Sequence, residues 1–312
     1  MRRFSQLFVS PYLLLALAVF FWAGNWVIGR ALRFDAPPVA LAFWRWTIAL
    51  VILLPFAYPH LRANSRLIAK SWKILCLLAV LATALQHIPI YIGLHNTTAT
   101  NGALLNATSP ILIILLSWAL IGERLSAVAV LGVAISLGGV LCIVSRGDLS
   151  ALRAFSFNVG DIWVLAATLS WAAYTVCLRW RPSGLPPIAL LALLAAIGVA
   201  MMLPLYLIEL AGGARLQGGV SSFLGIAYIG VFATVAAYIC WNGAVHQVGA
   251  GKAAPFMYLM PIFTPALSIV FLGETLQPYH GLGITLILGG IYLTNRFLPG
   301  GGGKSRAYGI ER

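Results

Sequence analysis

Charged side chains are scarce in this chain: only 9% of its 312 residues are Asp, Glu, Lys or Arg, whereas 61% are hydrophobic. This composition, with a mean hydropathy of +0.94, excludes a water-soluble globular protein. The apolar stretches are long and continuous, a pattern typical of membrane-spanning helices rather than of the alternating strands of a β-barrel. The sequence therefore predicts an all-α integral membrane protein.

Acidic residues are the rarest charged class, and all seven are expected at span ends, in loops or in the tail: Asp35, Glu123, Asp148, Asp161, Glu209, Glu274 and Glu311. The absence of a mid-membrane carboxylate argues against carboxylate-based proton coupling. The scattered histidines form no acid/base or metal cluster with these acids, which argues against a membrane-embedded transferase. We expect no catalytic residue, metal or cofactor, and the four cysteines suggest no disulfide framework.

Ten spans account for almost the whole chain, and the loops between them are too short for a folded extramembrane domain. The predicted spans are residues 11–32, 37–58, 72–93, 99–121, 126–145, 159–179, 187–209, 221–245, 251–272 and 278–298. Residues 299–312 read as a flexible, basic tail.

The net charge of +13 reflects topology rather than nucleic-acid binding. When alternate loops are assigned to alternate sides, fourteen of the twenty Lys and Arg residues lie on the side of both termini and five on the other, which leaves Arg45 inside a span. By the positive-inside rule, both termini face the cytoplasm of a multi-pass inner-membrane (plasma-membrane) protein. The basic residues then face lipid headgroups.

The chain also contains an internal duplication. Pro110 pairs with Pro261, and Gly122-Glu123 pairs with Gly273-Glu274, at a constant offset of 151 positions. The implied halves are residues 1–147 and 148–298. Because each half contains five spans, an odd number, the second half enters the membrane upside down relative to the first. This predicts two inverted five-helix repeats with a binding site near the midplane between them.

The repeated segments carry a family resemblance. Small residues, a proline-containing helix, Gly-Glu and a glycine-rich helix follow one another in 103–139 and again in 254–290. With the opening Phe21-Trp22-Ala23-Gly24-Asn25 and with Arg45, this pattern resembles the EamA-type families of the drug/metabolite transporter superfamily. The Trp-rich first span is similar to that of the YddG-type amino-acid exporters. The resemblance implies a ten-helix inner-membrane fold and export of amino acids.

Twelve residues are candidates for lining the substrate cavity, because they are mostly polar or aromatic side chains on shared helical faces or at equivalent positions of the two halves. They are Trp22, Asn25, Trp26, His87, Tyr91, Asn101, Trp171, Tyr174, Tyr238, Asn242, Phe256 and Met257. A cavity lined by aromatic, His and Asn side chains suits zwitterionic or amphipathic organic solutes. The aromatic residues could instead serve packing alone, and His87 could instead form a helix-to-helix hydrogen bond. We attribute irregularity in the third span to Pro89, which removes a backbone hydrogen bond.

Three charged residues have competing interpretations. Arg45 is interpreted as structural, capping a helix end or snorkelling toward the outer interface; the alternative is a cation that meets a substrate carboxylate in the cavity. Glu123 and Glu274 are interpreted as loop residues that cap the next helix along the chain.

Together these features predict a monomeric transporter that exports amino acids and related small metabolites by alternating access. A multidrug or nucleotide-sugar carrier of the same superfamily is the alternative, although a phosphate-bearing substrate would require more cavity cations than Arg45 and Lys252. A membrane-embedded transferase is the alternative from another class. The expected partners are a small-molecule substrate and the lipid bilayer, and not nucleic acid.

Overall fold

The computed structural model describes residues 10–122, 127–148, 158–248 and 254–296. Within these ranges the chain forms helices and no strand. The helices are α1 (Pro11–Ala31), α2 (Pro38–Ala63), α3 (Ser65–Lys70), α4 (Trp72–Ala82), α5 (Ala84–Asn96), α6 (Ala99–Asn106), α7 (Ser109–Ile121), α8 (Ala127–Val144), α9 (Val159–Cys177), α10 (Pro187–Ala211), α11 (Val220–Tyr228), α12 (Ala237–Val248), α13 (Met260–Leu272) and α14 (Pro278–Arg296). A π-helical segment, Ile229–Ala236, joins α11 to α12, and a short 3-10 segment, Ala254–Leu259, precedes α13.

Seven helical segments of the described chain are long and apolar enough to cross a membrane: Pro11–Ala31, Pro38–Ala63, Trp72–Asn96, Ala99–Leu120, Val159–Trp180, Pro187–Ala211 and Val220–Trp241. Two shorter apolar helices are Val130–Ile143 and Met260–Leu272. The protein is therefore an integral membrane protein. Helices α8, α13 and α14 lie where the fifth, ninth and tenth spans are predicted, and the count of ten stays a prediction.

Proline and glycine mark several helix ends. Pro11, Pro38 and Pro187 stand in the first turn of their helices, where the fixed φ of proline suits the helix and its missing N–H costs no bond. Gly122 (φ 73°) and Gly273 (φ 65°) end α7 and α13 in the left-handed conformation that favours glycine. These two glycines are also equivalent positions of the sequence duplication.

The third span is interrupted at Thr83, between α4 and α5, rather than at Pro89 as predicted. Thr83 has φ −114° and ψ −79°, and its hydroxyl donates to the carbonyl of Ala79 at 2.6 Å. Hydroxyl bonds of this kind bend helices by competing with the backbone ladder. Pro89 instead lies inside the continuous helix α5. The equivalent position of the second half, Thr234, lies in the π-helical segment, so both third helices are irregular at the same place.

Carboxylates of the second half cap helices of the first half. Glu209, near the end of α10, accepts from the backbone N–H groups of Val39 (3.1 Å) and Ala40 (2.7 Å) at the start of α2. Glu274 accepts from the N–H groups of Ala99 (2.9 Å) and Thr100 (3.1 Å) at the start of α6. The prediction that Glu274 caps the next helix is therefore wrong: it caps a helix of the other half, where free N–H groups and the positive end of the helix dipole attract it. Glu123 lies outside the described residues.

Helices α8 and α14 pack along a seam of small residues. Ser136 Oγ donates to the carbonyl oxygen of Ile287 at 3.0 Å across this seam. A Cβ added to Gly139 would lie 2.7 Å from the carbonyl oxygen of Gly283, so the two backbones are in direct contact. Close backbone approach of this kind is the usual role of glycine at membrane helix interfaces.

Two adjacent glycines provide a matched test of this seam. We expect Gly139→Ala to lower the melting temperature of the purified protein, because the new methyl group would push against rigid backbone; overpacking typically costs about 1–3 kcal/mol. Gly138→Ala should leave it unchanged or slightly raised, because a Cβ at Gly138 meets nothing within 4 Å. Thermal unfolding in detergent measures both. Equal changes in melting temperature for the two variants would contradict the close backbone contact at Gly139.

Candidate functional site

A small polar cavity lies between the two halves. Its volume is about 60 Å³, well below the roughly 300–1,000 Å³ of pockets that hold drug-sized ligands. It is lined by residues of α1, α2, α5, α6, α9, α12 and α13 and of the 3-10 segment: Trp22, Asn25, Trp26, Arg45, Gln86, His87, Ile90, Asn106, Trp171, Tyr238, Met257 and Met260. In this conformation the cavity has room for a few water molecules.

Arg45 is the centre of a buried hydrogen-bond network at the cavity wall. Its Nη1 atom donates to Asn25 Oδ1 at 3.1 Å and to Tyr91 Oη at 2.9 Å, and its Nε atom donates to Thr234 Oγ1 at 3.0 Å. Tyr91 Oη in turn donates to Asn25 Oδ1 at 2.9 Å. The network joins α1, α2, α5 and the π-helical segment around one guanidinium.

The structure corrects the interpretation of Arg45 as a snorkelling or helix-capping residue. Only 2% of Arg45 is exposed, and its bonded partners are side chains of other helices rather than helix-end carbonyls. Snorkelling is needed when a charge has no polar partner at its own depth. Here Asn25, Tyr91 and Thr234 supply such partners, so the side chain stays inside the bundle.

His87 lies beside this network and contacts the second tryptophan of α2. The indole Nε1 of Trp46 lies 3.3 Å from His87 Nδ1, and the carbonyl oxygen of Thr83 lies 3.1 Å from the same atom. Trp46 can only donate, so its bond requires an unprotonated Nδ1, whereas a protonated Nδ1 would donate to Thr83. His87 thus lines the cavity and also makes a helix-to-helix contact, which combines the two alternatives drawn from the sequence.

Aromatic rings form much of the remaining wall. The ring of Trp22 packs edge-on against Tyr238 with centroids 5.8 Å apart, and against Trp241 at 5.4 Å. Trp171 packs against Tyr174 at 5.2 Å. Ring pairs at these distances hold one another in place. The cavity therefore has rigid aromatic sides and a cationic, hydrogen-bonding side.

Seven of the twelve candidate residues line the cavity: Trp22, Asn25, Trp26, His87, Trp171, Tyr238 and Met257. Their role in substrate binding stays a prediction. Tyr91 lies behind the wall, where its hydroxyl supports Arg45 and Asn25. Tyr174 packs behind Trp171, and the side chain of Asn242 lies outside the described residues.

Asn101 and Phe256 are the two candidates that the structure places in other contacts. Asn101 Oδ1 lies 2.7 Å from His280 Nε2, and the N–H of Gln277 donates to His280 Nδ1 at 2.9 Å, so His280 Nε2 is the donor to Asn101. Asn101 therefore serves the packing of α6 against α14, near the Glu274 cap. Phe256 stacks on Tyr12 with centroids 5.9 Å apart.

Five residues of the wall were absent from the set of twelve candidates: Arg45, which the sequence offered only as an alternative, and Gln86, Ile90, Asn106 and Met260. Gln86 is adjacent to His87, and Ile90 lies four positions after Gln86 on α5. If the helical face assigned to His87 is widened by one residue, it includes both. Met260 follows Met257 by three positions in the same way. Asn106 is a polar residue in an apolar span, which is itself a signal for the interior of a bundle.

The fold and the site define a class: a polytopic helical membrane protein with a polar cavity between its two halves. The profile of the EamA-like transporter family matches this chain twice, at residues 9–145 and 158–296. The chain belongs to the EamA-like transporter family, and it is a membrane transporter.

Two relatives align with this chain over most of their own length and carry a broad transporter designation. An "Uncharacterized transporter" of Archaeoglobus fulgidus is 27% identical over 91% of this chain and 97% of the relative. The "Uncharacterized transporter YetK" of Bacillus subtilis is 26% identical over 92% of this chain and 87% of the relative. A solved crystal structure superposes with a TM-score of 0.60 at 19% identity, over 92% of this chain and 98% of the other, a likeness that concerns the fold alone.

The Arg45 network can be tested with two tyrosines. We expect Tyr91→Phe to reduce the free energy of unfolding by about 1–3 kcal/mol, because it leaves a buried charged donor without its acceptor. Tyr174→Phe is the matched control, since Tyr174 is similarly buried and no hydrogen bond of its hydroxyl occurs among the described residues. Thermal unfolding of both purified variants gives the comparison. If the Tyr91→Phe protein is as stable as the control, the Arg45 network does not contribute to the stability of the bundle.

Proposed function

We propose that this protein exports amino acids and related small metabolites across the inner (plasma) membrane by alternating access around the central cavity. The observation that carries the proposal is the position of the cavity, whose wall is built from helices of both halves. A site between two related bundles opens to one side or the other when the bundles rock against each other.

The proposed architecture is ten spans in two inverted repeats, residues 1–147 and 148–298. Three features support it: the family profile matches two successive segments, Gly122 and Gly273 end equivalent helices in the same left-handed conformation, and both third helices are irregular near Thr83 and Thr234. The loop charges favour both termini in the cytoplasm. We propose that the protein acts as a monomer.

Points of flexure lie next to the cavity. Helices α6 and α7 are separated at residues 107–108, and the 3-10 segment Ala254–Leu259 precedes α13. Interruptions of this kind allow halves of a helix to tilt independently. A cavity of about 60 Å³ must widen to admit an amino acid, so we assign this conformation to an occluded or nearly closed state.

The alternative within the same superfamily is a multidrug or nucleotide-sugar carrier. A sugar nucleotide would require cations for its phosphates, and Arg45 is the one cationic side chain among the described residues of the wall. Lys252, the other candidate, lies outside the described residues. A single cation beside aromatic rings fits a small carboxylate-bearing solute better.

Reconstitution tests the substrate class. We expect purified protein in proteoliposomes to take up amino acids from a panel that also contains nucleosides and cationic drugs, and to do so without an imposed pH gradient, because no carboxylate of the described chain lines the cavity. Uptake of a cationic drug but of no amino acid would show the substrate class to be wrong. Uptake only under a proton gradient would contradict uncoupled transport.

Two tryptophans of α9 test the site itself. Trp171 lines the cavity, whereas Trp163 is 39% exposed on the outer surface of the same helix. We expect Trp171→Ala and His87→Ala to lower kcat/KM roughly tenfold or more, the usual scale for a lost pocket contact. Trp163→Ala should transport like the unmodified protein. Unchanged transport in both cavity variants would exclude this cavity as the binding site.

A further inference from the structure

The cavity wall contains unused hydrogen-bonding groups, and their chemistry indicates what binds there. A guanidinium has five N–H donors: one on Nε and two on each Nη atom. In Arg45, Nε bonds to Thr234, and the two donors of Nη1 are directed at Asn25 and Tyr91. None of the hydrogen bonds in the described part of the chain involves Nη2.

The Nη2 atom is not fully enclosed, although it has no bonded partner in the described protein. It is absent from the buried nitrogen and oxygen atoms that lack a partner, and Arg45 contributes to the cavity wall. Because Arg45 lines the cavity, we infer that these two charged donors are available to a solute bound there. Charge-assisted bonds to a carboxylate are the strongest interaction that such a pair offers.

The positive charge of Arg45 also has no counter-ion among its bonded partners, because Asn25, Tyr91 and Thr234 are neutral. The carboxylates of Asp35, Asp161, Glu209 and Glu274 bond to other groups: Ser222, Thr97, the start of α2 and the start of α6, respectively. Neither these four residues nor the exposed Asp148, the fifth acidic residue of the described chain, lines the cavity. An anionic group of the solute would therefore supply the neutralisation that the described protein does not.

Gln86 provides a second group without a hydrogen-bond partner, and this group is an acceptor, whereas Arg45 provides donors. It lines the cavity, and its Oε1 atom is enclosed without a hydrogen-bond donor in reach. Most buried polar atoms in proteins have a partner. Because Oε1 is enclosed in this conformation, a donor from the ligand would reach it when the cavity widens. A primary ammonium group supplies such a donor.

We propose that Arg45 Nη2 binds the carboxylate of the transported solute and that Gln86 Oε1 accepts a hydrogen bond from its ammonium group. This assignment rests on the proposed transport function and sharpens it: the substrates are α-amino acids recognised by their common backbone groups. The side chain of the solute then lies against the aromatic rings of Trp22, Trp171 and Tyr238. Cations without a carboxylate are rejected by the charge of Arg45.

The test compares three solutes that share one side chain: an α-amino acid, its carboxamide, which lacks the carboxylate, and its des-amino acid, which lacks the ammonium. In proteoliposomes of unmodified protein, we expect KM for the carboxamide to exceed KM for the amino acid by about 10- to 100-fold, the effect of a charge-assisted bond. For Arg45→Gln, we expect this ratio to fall to about threefold or less. A purely structural Arg45 would alter stability without altering the ratio.

Two arginines and two glutamines provide matched controls. Arg30→Gln removes a guanidinium whose Nη1 is bonded to the carbonyls of Leu94 and His95, so it should leave the ratio unchanged. Gln86→Leu should abolish the preference for the amino acid over the des-amino acid, whereas Gln247→Leu, on an exposed part of α12, should retain it. Each variant is first checked for monodisperse elution in detergent.

Each outcome decides the assignment. An Arg45→Gln protein that transports amino acids with the unmodified ratio would overturn the role of Arg45 and leave the proposed function standing. If that variant does not fold, Arg45→Lys retains the charge but not the forked donors, and its ratio should be intermediate; an unmodified ratio would again overturn the assignment. If the unmodified protein moves no amino acid, the proposed function fails, and a transported solute without a carboxylate overturns the assignment as well.

Discussion

A permanent cation inside a membrane-embedded bundle is the constraint around which this structure is organised. At the centre of a bilayer a charged side chain costs on the order of 3 kcal/mol even on the lenient insertion scale. Inside the bundle Arg45 is stabilised by Asn25 of α1, Tyr91 of α5 and Thr234 of the π-helical segment. These helices must meet at one point and in one register for all three bonds to form. The three partners are neutral, so they solvate the charge but do not cancel it; in the proposed mode of binding, the carboxylate of the solute does so.

The two halves are related by the sequence duplication, yet the equivalent residues Thr83 and Thr234 make different contacts. Thr83 interrupts the helix between α4 and α5, and its carbonyl oxygen contacts His87. Thr234 sits in a π-helical segment, where its hydroxyl donates to the carbonyl of Ile229 five residues earlier and accepts from Arg45. A π turn is a common feature of functional sites. The two halves therefore contribute different groups around the cavity despite the duplication.

The sequence predicts the class and much of the element order, because long apolar runs with proline and glycine at their ends leave few alternatives to membrane helices. It also predicts seven of the wall residues, through shared helical faces and the equivalence of Tyr238 with His87. It could not predict partners that are distant along the chain. Glu274 caps α6, whose first turn is 174 positions away in the sequence. Asn101 bonds to His280 rather than lining the cavity. Arg45 stays inside the bundle because it bonds to groups such as Thr234, which is 189 positions away. Residue type and local spacing do not encode such encounters.

Glu209 and Glu274 join the halves mainly through hydrogen bonds from backbone N–H groups. Helices α2 and α6 begin at the same end of the bundle, since Arg30, near the end of α1, bonds to the carbonyls that close α5. At both joints main-chain N–H groups donate, and every residue except proline possesses one; at Glu274 the hydroxyl of Thr100 donates as well, at 2.7 Å. Substitutions at residues 39, 40 and 99 can therefore accumulate without loosening the joint, provided the two glutamates remain. The residues that donate from the backbone can change, whereas Glu209 and Glu274 must remain carboxylates. The duplicated halves can therefore diverge in sequence and still pack against each other.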